Sequence, residues 1–251
     1  MTGIDISDSD VLPLSGNAIV DSVLYLENYY GVANWNRVGV SQGNTLYYWF
    51  ADGDDIRANI NNKDAYDEAP NSLQKIGFVQ ALNEYSLLTG IQFKEASSAD
   101  KANIYFALSD MDEETLGMTL PSDVIKSWDK CAVFLNIESK VANNADPTFG
   151  TPAFVTLMHE LGHAFGLKHS FVVDEENDAL RATLPSVIET QATSIMSYTD
   201  PSKDNDDQYS YERWYDEGKD YFAPCDIMAL VYIYGTDGLN GEEGLTYDMN
   251  A

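Results

Sequence analysis

The spacing of hydrophobic and polar residues predicts a chain that alternates helices with short strands. Apolar residues recur at helical spacing in four segments, which are residues 18–30, 72–89, 150–166 and 224–234. Runs of β-branched and aromatic residues predict four strands, which are residues 45–51, 91–95, 103–108 and 132–137. Helices and strands in this order favour the α+β class, with a mixed sheet backed by helices.

Capping residues predict where several of these elements begin and end. Ser72 is the predicted N-cap of the second helix, and Gly90 is its predicted C-terminal stop. Gly31 and Gly235 predict the ends of the first and last helices. The acidic run at residues 52–55 predicts a turn after the first strand. The apolar face of the second helix is predicted to contain Leu73, Ile76, Val79, Leu82, Leu87 and Leu88.

The charge of the chain argues against anionic partners. Its 251 residues include 14 Lys+Arg and 41 Asp+Glu, which gives a net charge of −27. Nucleic acids and anionic membranes are bound by basic surfaces, so neither is an expected partner. Hydrophobic residues make up 44% of the chain, which is enough for a folded core and excludes a disordered acidic tail.

Neither an N-terminal signal peptide nor a membrane helix is predicted. Residues 1–10 lack a basic start followed by an apolar run, and no segment approaches the roughly 18 apolar residues of a spanning helix. We expect a monomer. Cys131 and Cys225 lie far apart in sequence and in no metal-binding spacing, so two buried thiols and one disulfide are both open.

Three regions are predicted along the chain. Residues 1–16 are polar and form a flexible lead-in or a propeptide remnant. Residues 17–166 contain the predicted sheet and three helices, and residues 167–251 contain long polar connections and the last helix. The length suits two lobes that share a cleft.

All three histidines of the chain lie within eleven residues. His159 and His163 are four apart on a predicted helix, so their imidazoles project from one face towards a common point. Glu160 lies at the edge of that face, where its carboxylate reaches a metal-bound water without occupying the metal. Gly166 permits the positive φ that ends the helix and brings His169 in as a third ligand. Three nitrogen ligands leave a fourth position open, which predicts a catalytic zinc site.

The pattern HExxHxxGxxH resembles the metzincin clan of zinc endopeptidases, whose second mark is a methionine-containing turn beneath the metal. Residues 194–198, Ser-Ile-Met-Ser-Tyr, are similar to that turn, with Met196 as its methionine. The resemblance implies a zincin-like fold, in which a twisted mixed five-stranded sheet and a smaller C-terminal subdomain flank an active-site cleft.

Within the clan, the chain most resembles the serralysin catalytic domain. Tyr198, two residues after Met196, is similar to a serralysin or astacin tyrosine that binds the resting metal and then hydrogen-bonds the transition-state oxyanion. Residues 223–235 are similar to the serralysin helix after the turn. Ser170 departs from this pattern, because serralysins usually have proline after the third histidine and a small hydroxyl residue is typical of matrixins.

The resemblance implies a secreted zinc endopeptidase that acts on protein or peptide substrates. Glu160 is the implied general base, Tyr198 is both a catalytic residue and a metal ligand, and His159, His163 and His169 are the other metal ligands. An astacin-like or matrixin-like enzyme is an alternative within the clan. A zinc-containing binding module that cleaves nothing is a further alternative, although Glu160 and Tyr198 count against it.

Metzincins bind substrate by adding it to a sheet edge, and residues 132–135 are the candidate edge strand, with an interior strand as the alternative. Calcium is a further candidate cofactor at residues 52–55 and 204–207, but neither run fits an EF-hand and solvated loops are favoured. Six aromatic residues are candidates for subsites or for ordinary packing: Trp128, Phe149, Tyr209, Tyr211, Trp214 and Tyr215.

Overall fold

The fold is described from a computed structural model. The described residues are 12–25, 35, 45–60, 67–120, 129–137, 146–171, 182–199 and 222–235. Within them lie five α-helices, which are α1 (Ala18–Asp21), α2 (Gly53–Asn59), α3 (Ser72–Thr89), α4 (Pro152–Ala164) and α5 (Pro224–Tyr234). The strands there are β1 (Thr45–Phe50), β2 (Asp67–Glu68), β3 (Gln92–Glu95), β4 (Ile104–Ser109), β5 (Gly117–Leu120) and β6 (Cys131–Asn136).

Five strands form a mixed sheet in the order β3-β1-β4-β6-β5. The first four are mutually parallel, β5 runs antiparallel to β6, and the two-residue β2 pairs with the end of β4. The α+β class and the five-stranded mixed sheet are thereby confirmed. The division of the chain at residues 16 and 166 stays a prediction.

Every residue of β4 and β6 is buried, because both faces of the sheet are covered. Alternate residues point to opposite faces. Ile104, Phe106 and Val133 join the core beneath α3, α4 and α5, while Tyr105 and Phe134 pack with α2 on the other face.

The candidate edge strand at residues 132–135 is wrong, and the interior alternative holds. Those residues belong to β6, which has β4 on one side and β5 on the other. Among the described strands, β3 and β5 lie at the two ends of the sheet, and the four residues of β5 are all half-buried. A buried run such as 132–135 satisfies an edge pattern and an interior pattern equally well, so only the pairing distinguishes them.

Helix α3 begins and ends almost where predicted. Its N-cap is Asn71, one residue before the predicted Ser72, and Asn71 forms a capping box with Gln74. Gly90 ends the helix at φ 73°, as predicted. The predicted apolar face is partly wrong, because three of its members, Leu73, Ile76 and Leu87, are exposed. The buried face is instead formed by Phe78, Ala81, Leu82, Tyr85 and Leu88.

The first helix is shorter than predicted. It covers Ala18–Asp21. Leu24 then forms an antiparallel bridge with Leu167, which follows α4 in sequence. Pairing with a distant segment replaces the helix that the local spacing favours. The predicted end at Gly31 lies outside the described residues.

The predicted turn at residues 52–55 is the start of α2. Asp52 is its N-cap and accepts hydrogen bonds from the backbone N–H groups of Asp54 and Asp55, each at 3.0 Å. The last helix, α5, has the predicted bounds and ends at Gly235 with φ 86°. No helix within the described ranges has the length and apolar character needed to cross a bilayer.

Candidate metal centre and catalytic residues

Helix α4 carries the first two histidines. The Thr151 hydroxyl caps the helix by accepting a hydrogen bond from the Phe154 N–H at 3.1 Å, and Pro152 occupies the first turn. Leu157 and Leu161 are fully buried one turn apart and fix the helix to the core. The opposite side of the helix therefore presents His159 and His163 in a fixed orientation.

The chain turns sharply after α4. Gly166 has φ 96°, and the Leu167 N–H donates to the Gly162 carbonyl at 2.9 Å. The bridge between Leu24 and Leu167 then holds the segment that leads to His169. The predicted role of Gly166 matches this geometry.

The structure brings the three histidines together through their Nε2 atoms. His169 Nε2 lies 3.1 Å from His159 Nε2 and 3.3 Å from His163 Nε2. These three side chains form a potential metal-binding cluster, and within the described ranges no other group of three or more His, Cys, Asp or Glu side chains does so.

Backbone carbonyls fix the tautomers of two of these imidazoles. His159 Nδ1 lies 2.8 Å from the Ile195 carbonyl, and His163 Nδ1 lies 2.9 Å from the Leu167 carbonyl. A carbonyl only accepts, so each Nδ1 carries the proton and each Nε2 directs a lone pair towards the other histidines. Burial, together with neighbouring histidines, lowers the pKa of His159, and burial lowers that of His163, so both favour the neutral form.

Converging lone pairs repel one another unless a cation lies between them, and zinc fits this donor set. Tetrahedral zinc with Zn–N bonds of 2.0–2.1 Å places its ligand atoms about 3.3 Å apart, and the corresponding separations in this structure are 3.1 and 3.3 Å. Burial lowers the pKa of His169 to about 4, so it too is neutral at physiological pH. His159, His163 and His169 would hold the metal, as the sequence predicts.

Glu160 is buried beside these ligands and is held from the edge strand. Its Oε2 accepts a hydrogen bond from the Thr119 hydroxyl at 2.9 Å, and its backbone carbonyl lies 2.7 Å from the same hydroxyl. Burial raises the pKa of Glu160 to about 8, with the Thr119 hydrogen bond acting in the opposite direction. A Cβ at Gly117 would lie 2.8 Å from Glu160 Cγ, so β5 approaches the glutamate as closely as a glycine permits.

The hydroxyl of Tyr198 also lies at the histidine cluster. Its hydroxyl lies 2.8 Å from His169 Nε2, and its ring packs at 5.5 Å from the His159 ring and 5.0 Å from the Phe171 ring. The side chain is 48% exposed and so faces solvent at the mouth of the site. This position is compatible with both predicted roles, as a metal ligand and as a hydrogen-bond donor to substrate.

The predicted methionine turn lies directly beneath α4. Met196 is fully buried, and a Cβ at Gly162 would lie 2.6 Å from its sulfur. Asp226 of α5 holds the turn: it accepts hydrogen bonds from the Ser194 hydroxyl at 2.6 Å and the Ile195 N–H at 2.8 Å. Since the Ile195 carbonyl contacts His159, α5 is connected to the proposed metal site through a single residue, Ile195.

A cavity of about 460 Å³ opens over these groups. Its described lining is mainly polar and comes from β5 and the preceding loop, α4 and the 191–198 segment, and it includes His159, Glu160 and Tyr198. Phe149 is 55% exposed and packs against Phe154, and it is not among the described lining residues. The other aromatic candidates, Trp128, Tyr209, Tyr211, Trp214 and Tyr215, lie outside the described residues.

The described residues give calcium no support. Asp52 caps α2, Asp54 pairs with Arg57, and Asp55 accepts a hydrogen bond from the Trp49 indole, so these carboxylates do not converge. Residues 204–207 lie outside the described part of the chain. Cys131 and Cys225 are both buried free thiols, which resolves the cysteine alternatives.

Sequence reasoning missed Thr119, Gly117 and Asp226 as parts of this site. Thr119 and Gly117 lie on a strand that was not predicted, and the residue pattern around them carries no chemical signal. Asp226 stands in the first turn of a predicted helix, where an acidic residue is typical. The signal that could have identified Asp226 is its place in an otherwise apolar helix, because an acidic side chain is rarely buried unless it is paired.

The sheet, the histidine cluster and the methionine turn together define a zinc metallopeptidase of the metzincin type. A family model described as "Metallo-peptidase family M12B Reprolysin-like" matches residues 47–216, and the chain belongs to this family. It is also similar to a protein named serralysin from Photorhabdus sp. (strain Az29), with 23% identity over 232 residues. The match covers 88% of this chain, which spans 45% of that relative.

Proposed function

We propose that this protein is a secreted zinc endopeptidase that hydrolyses peptide bonds of protein substrates. One observation carries the proposal: three imidazole nitrogens converge beside an open cavity that is lined by His159, Glu160 and Tyr198. A binding module would have no use for a buried base beside the metal ligands. Membership of the metallopeptidase family supports the same conclusion.

The side chains of the site divide the reaction between them. When bound, zinc supplies Lewis acidity towards the scissile carbonyl and lowers the pKa of a water molecule. Glu160 accepts a proton from the attacking water as the new C–O bond forms, and returns it to the amine nitrogen as the C–N bond breaks. Tyr198 donates a hydrogen bond from its phenolic O–H to the carbonyl oxygen as negative charge develops there.

The substrate is proposed to lie along β5. This strand pairs with β6 on one side only among the described strands, which leaves an edge for an extended peptide. Thr119 on the same strand contacts Glu160, so a peptide added to β5 would run past the proposed general base. Addition to β5 replaces the predicted addition to residues 132–135.

The first test is cleavage of an unstructured protein. The full chain loaded with zinc is expected to cleave casein, and removal of zinc with a chelator is expected to abolish cleavage, because the three histidines then hold no Lewis acid. Activity should return when zinc is added back. Unchanged cleavage by metal-free protein would contradict the proposal.

A second test uses the hydrogen bond from Thr119 to Glu160. This bond lowers the pKa of Glu160, so Thr119→Val, which keeps the shape of the side chain, is expected to raise it. A base with a higher pKa loses its charge at higher pH, so the acidic limb of the kcat/KM profile should move to higher pH. Thr115→Val, at another residue lining the cavity, is the matched control. An unmoved limb in Thr119→Val would show that the bond does not tune the base.

Secretion and a monomeric state complete the proposal. The net charge of −27 supports a protein that stays dispersed in solution by mutual repulsion. Recovery of the mature protein from culture medium rather than from cells would test secretion. Sedimentation at micromolar concentration would test the monomer.

A further inference from the structure

The Glu189 carboxylate binds the chain on both sides of the metal centre. Its Oε1 accepts a hydrogen bond from the Ser170 hydroxyl at 2.7 Å, and its Oε2 accepts one from the Thr199 hydroxyl at 2.7 Å. Ser170 immediately follows His169, and Thr199 immediately follows Tyr198. One carboxylate therefore connects the segment of the third histidine to the segment of the tyrosine.

We call this arrangement the Glu189 clamp: Glu189 with Ser170 and Thr199. The Ser197 side chain, on the other side of Tyr198, also lowers the pKa of Glu189, and its hydroxyl accepts a hydrogen bond from the Thr199 N–H at 3.0 Å. Ser170 and Ser197 are fully buried. Burial raises the pKa of Glu189, but the three hydroxyl side chains outweigh it and the net pKa is lowered, so the clamp contains an ionised acceptor.

The clamp holds the backbone next to Tyr198, whose side chain is about half exposed to solvent. Tyr198 is 48% exposed, and the ring contacts described for it are with His159, His169 and Phe171, all at the site itself. On its C-terminal side the backbone is held by the clamp at Thr199 and by the hydrogen bond from the Gln191 N–H to the Thr199 carbonyl at 2.8 Å, and on its N-terminal side by the hydrogen bond from the Ser197 N–H to the Ser194 carbonyl at 3.1 Å. The position of the phenol relative to His169 thus depends on Glu189.

We propose that Glu189 is a positioning residue for Tyr198, which holds the phenol where it meets the oxyanion. The inference rests on the proposed peptidase function. It also accounts for Ser170, the residue that departs from the serralysin pattern: proline has no hydroxyl to donate, whereas serine contributes one arm of the clamp.

The experiment is a double-mutant cycle on the zinc-loaded full chain. Tyr198→Phe removes one oxyanion donor and is expected to lower kcat about 100-fold. Glu189→Gln keeps the side-chain volume but weakens the clamp, and is expected to lower kcat about 10-fold with KM changed less than about twofold. In the Tyr198→Phe background, Glu189→Gln should lower kcat by less than about twofold, because the group it positions is gone.

Two further measurements separate positioning from a general loss of structure. Zinc affinity, measured by competition with a chelator, should change less than about threefold in Glu189→Gln, since all three histidines remain. Thr199→Val removes only the arm next to Tyr198 and should reproduce a smaller fall in kcat if Glu189→Gln folds poorly. Glu95→Gln, at an exposed glutamate on β3, is the matched control and should keep wild-type kcat.

Each outcome decides the inference. Equal loss of kcat from Glu189→Gln in both backgrounds, or a loss of zinc affinity parallel to the loss of kcat, would overturn positioning of Tyr198. Full activity in Glu189→Gln would overturn it as well. Failure of the peptidase function itself looks different, since the wild-type protein would then cleave no substrate.

Discussion

Glu160→Ala is expected to lower kcat/KM by about 10²- to 10⁴-fold, which is the contribution of a positioned general base. The loss follows from geometry: Glu160 lies within the cavity beside His159, and the Thr119 hydroxyl holds its carboxylate at 2.9 Å. Steady-state hydrolysis of a fluorogenic peptide measures the change. Zinc content by elemental analysis should stay at one ion per chain, because the three histidine ligands are intact.

The same substitution distinguishes a loss of catalysis from a loss of folded structure. Glu160 is a buried acid whose pKa is raised to about 8 by burial, opposed by the Thr119 hydrogen bond, so its removal is not expected to lower thermal stability. Glu160→Gln keeps the volume and should be as inactive as the alanine variant. Wild-type turnover in either variant would eliminate Glu160 as the base.

Asp226→Ala is expected to lower the free energy of unfolding by about 4 kcal/mol, since several buried donors lose their acceptor at once. The donors are the Ser194 hydroxyl and the backbone N–H groups of Ile195 and Ala223, at 2.6, 2.8 and 2.9 Å. Urea unfolding of the metal-free protein measures the loss. Asp54→Ala, at an exposed aspartate of α2, should change stability by less than about 1 kcal/mol.

The contribution of Asp226 to the free energy of unfolding is expected to decrease as pH rises. Burial raises the pKa of Asp226 to about 6, against the hydrogen bonds from Ile195, Ser194 and Ala223, while an unfolded aspartate titrates near 3.9. The stability contributed by its protonated form is therefore fully present below about pH 4 and lost as pH rises through 6. The stability of the wild type relative to Asp226→Asn should fall by about 1 kcal/mol from pH 5 to 7. A difference that stays constant over this range would refute the raised pKa.

The cluster of three histidines was predictable because its members are close together in sequence. His159 and His163 share one helix face, and Gly166 needs only a positive φ to bring in His169, so eleven residues contain the whole pattern. The bounds of α5 were equally predictable, since Pro224 and Gly235 mark both ends. Short-range rules suffice wherever the deciding contacts lie within a few turns.

The groups that orient these ligands were not predictable, since they come from distant parts of the chain. In β5, Met118 and Leu120 alternate with Gly117 and Thr119, but the strand has only four residues and one of them is a glycine, so this short pattern was not recognised as a strand. Thr119 reaches Glu160 across 41 positions, and Asp226 reaches Ile195 across 31. Whether residues 132–135 lie inside the sheet or at its edge likewise depends on β5.

Helix α2 was within reach of sequence rules and was nevertheless missed. Asp52 is a favoured N-cap, Asp54 and Asp55 complement the helix dipole, and Arg57 lies in the last turn. The Asp-Gly pair favoured a turn instead. The helix prevails because Ile56 is buried against Tyr105 and Phe134, contacts that local propensity does not include.

The order of residues along the chain places the histidine cluster before the groups that hold it in position. A nascent chain that has emerged as far as residue 171 contains all three histidines and Glu160. It still lacks Glu189, Tyr198 and Asp226, which position or complete the site. The Ile195 carbonyl that contacts His159 and the Asp226 carboxylate that holds Ile195 are synthesised after the histidines. Since domains generally fold as units, the proposed enzyme is expected to stay inactive on the ribosome until α5 has been synthesised and packs against the methionine turn.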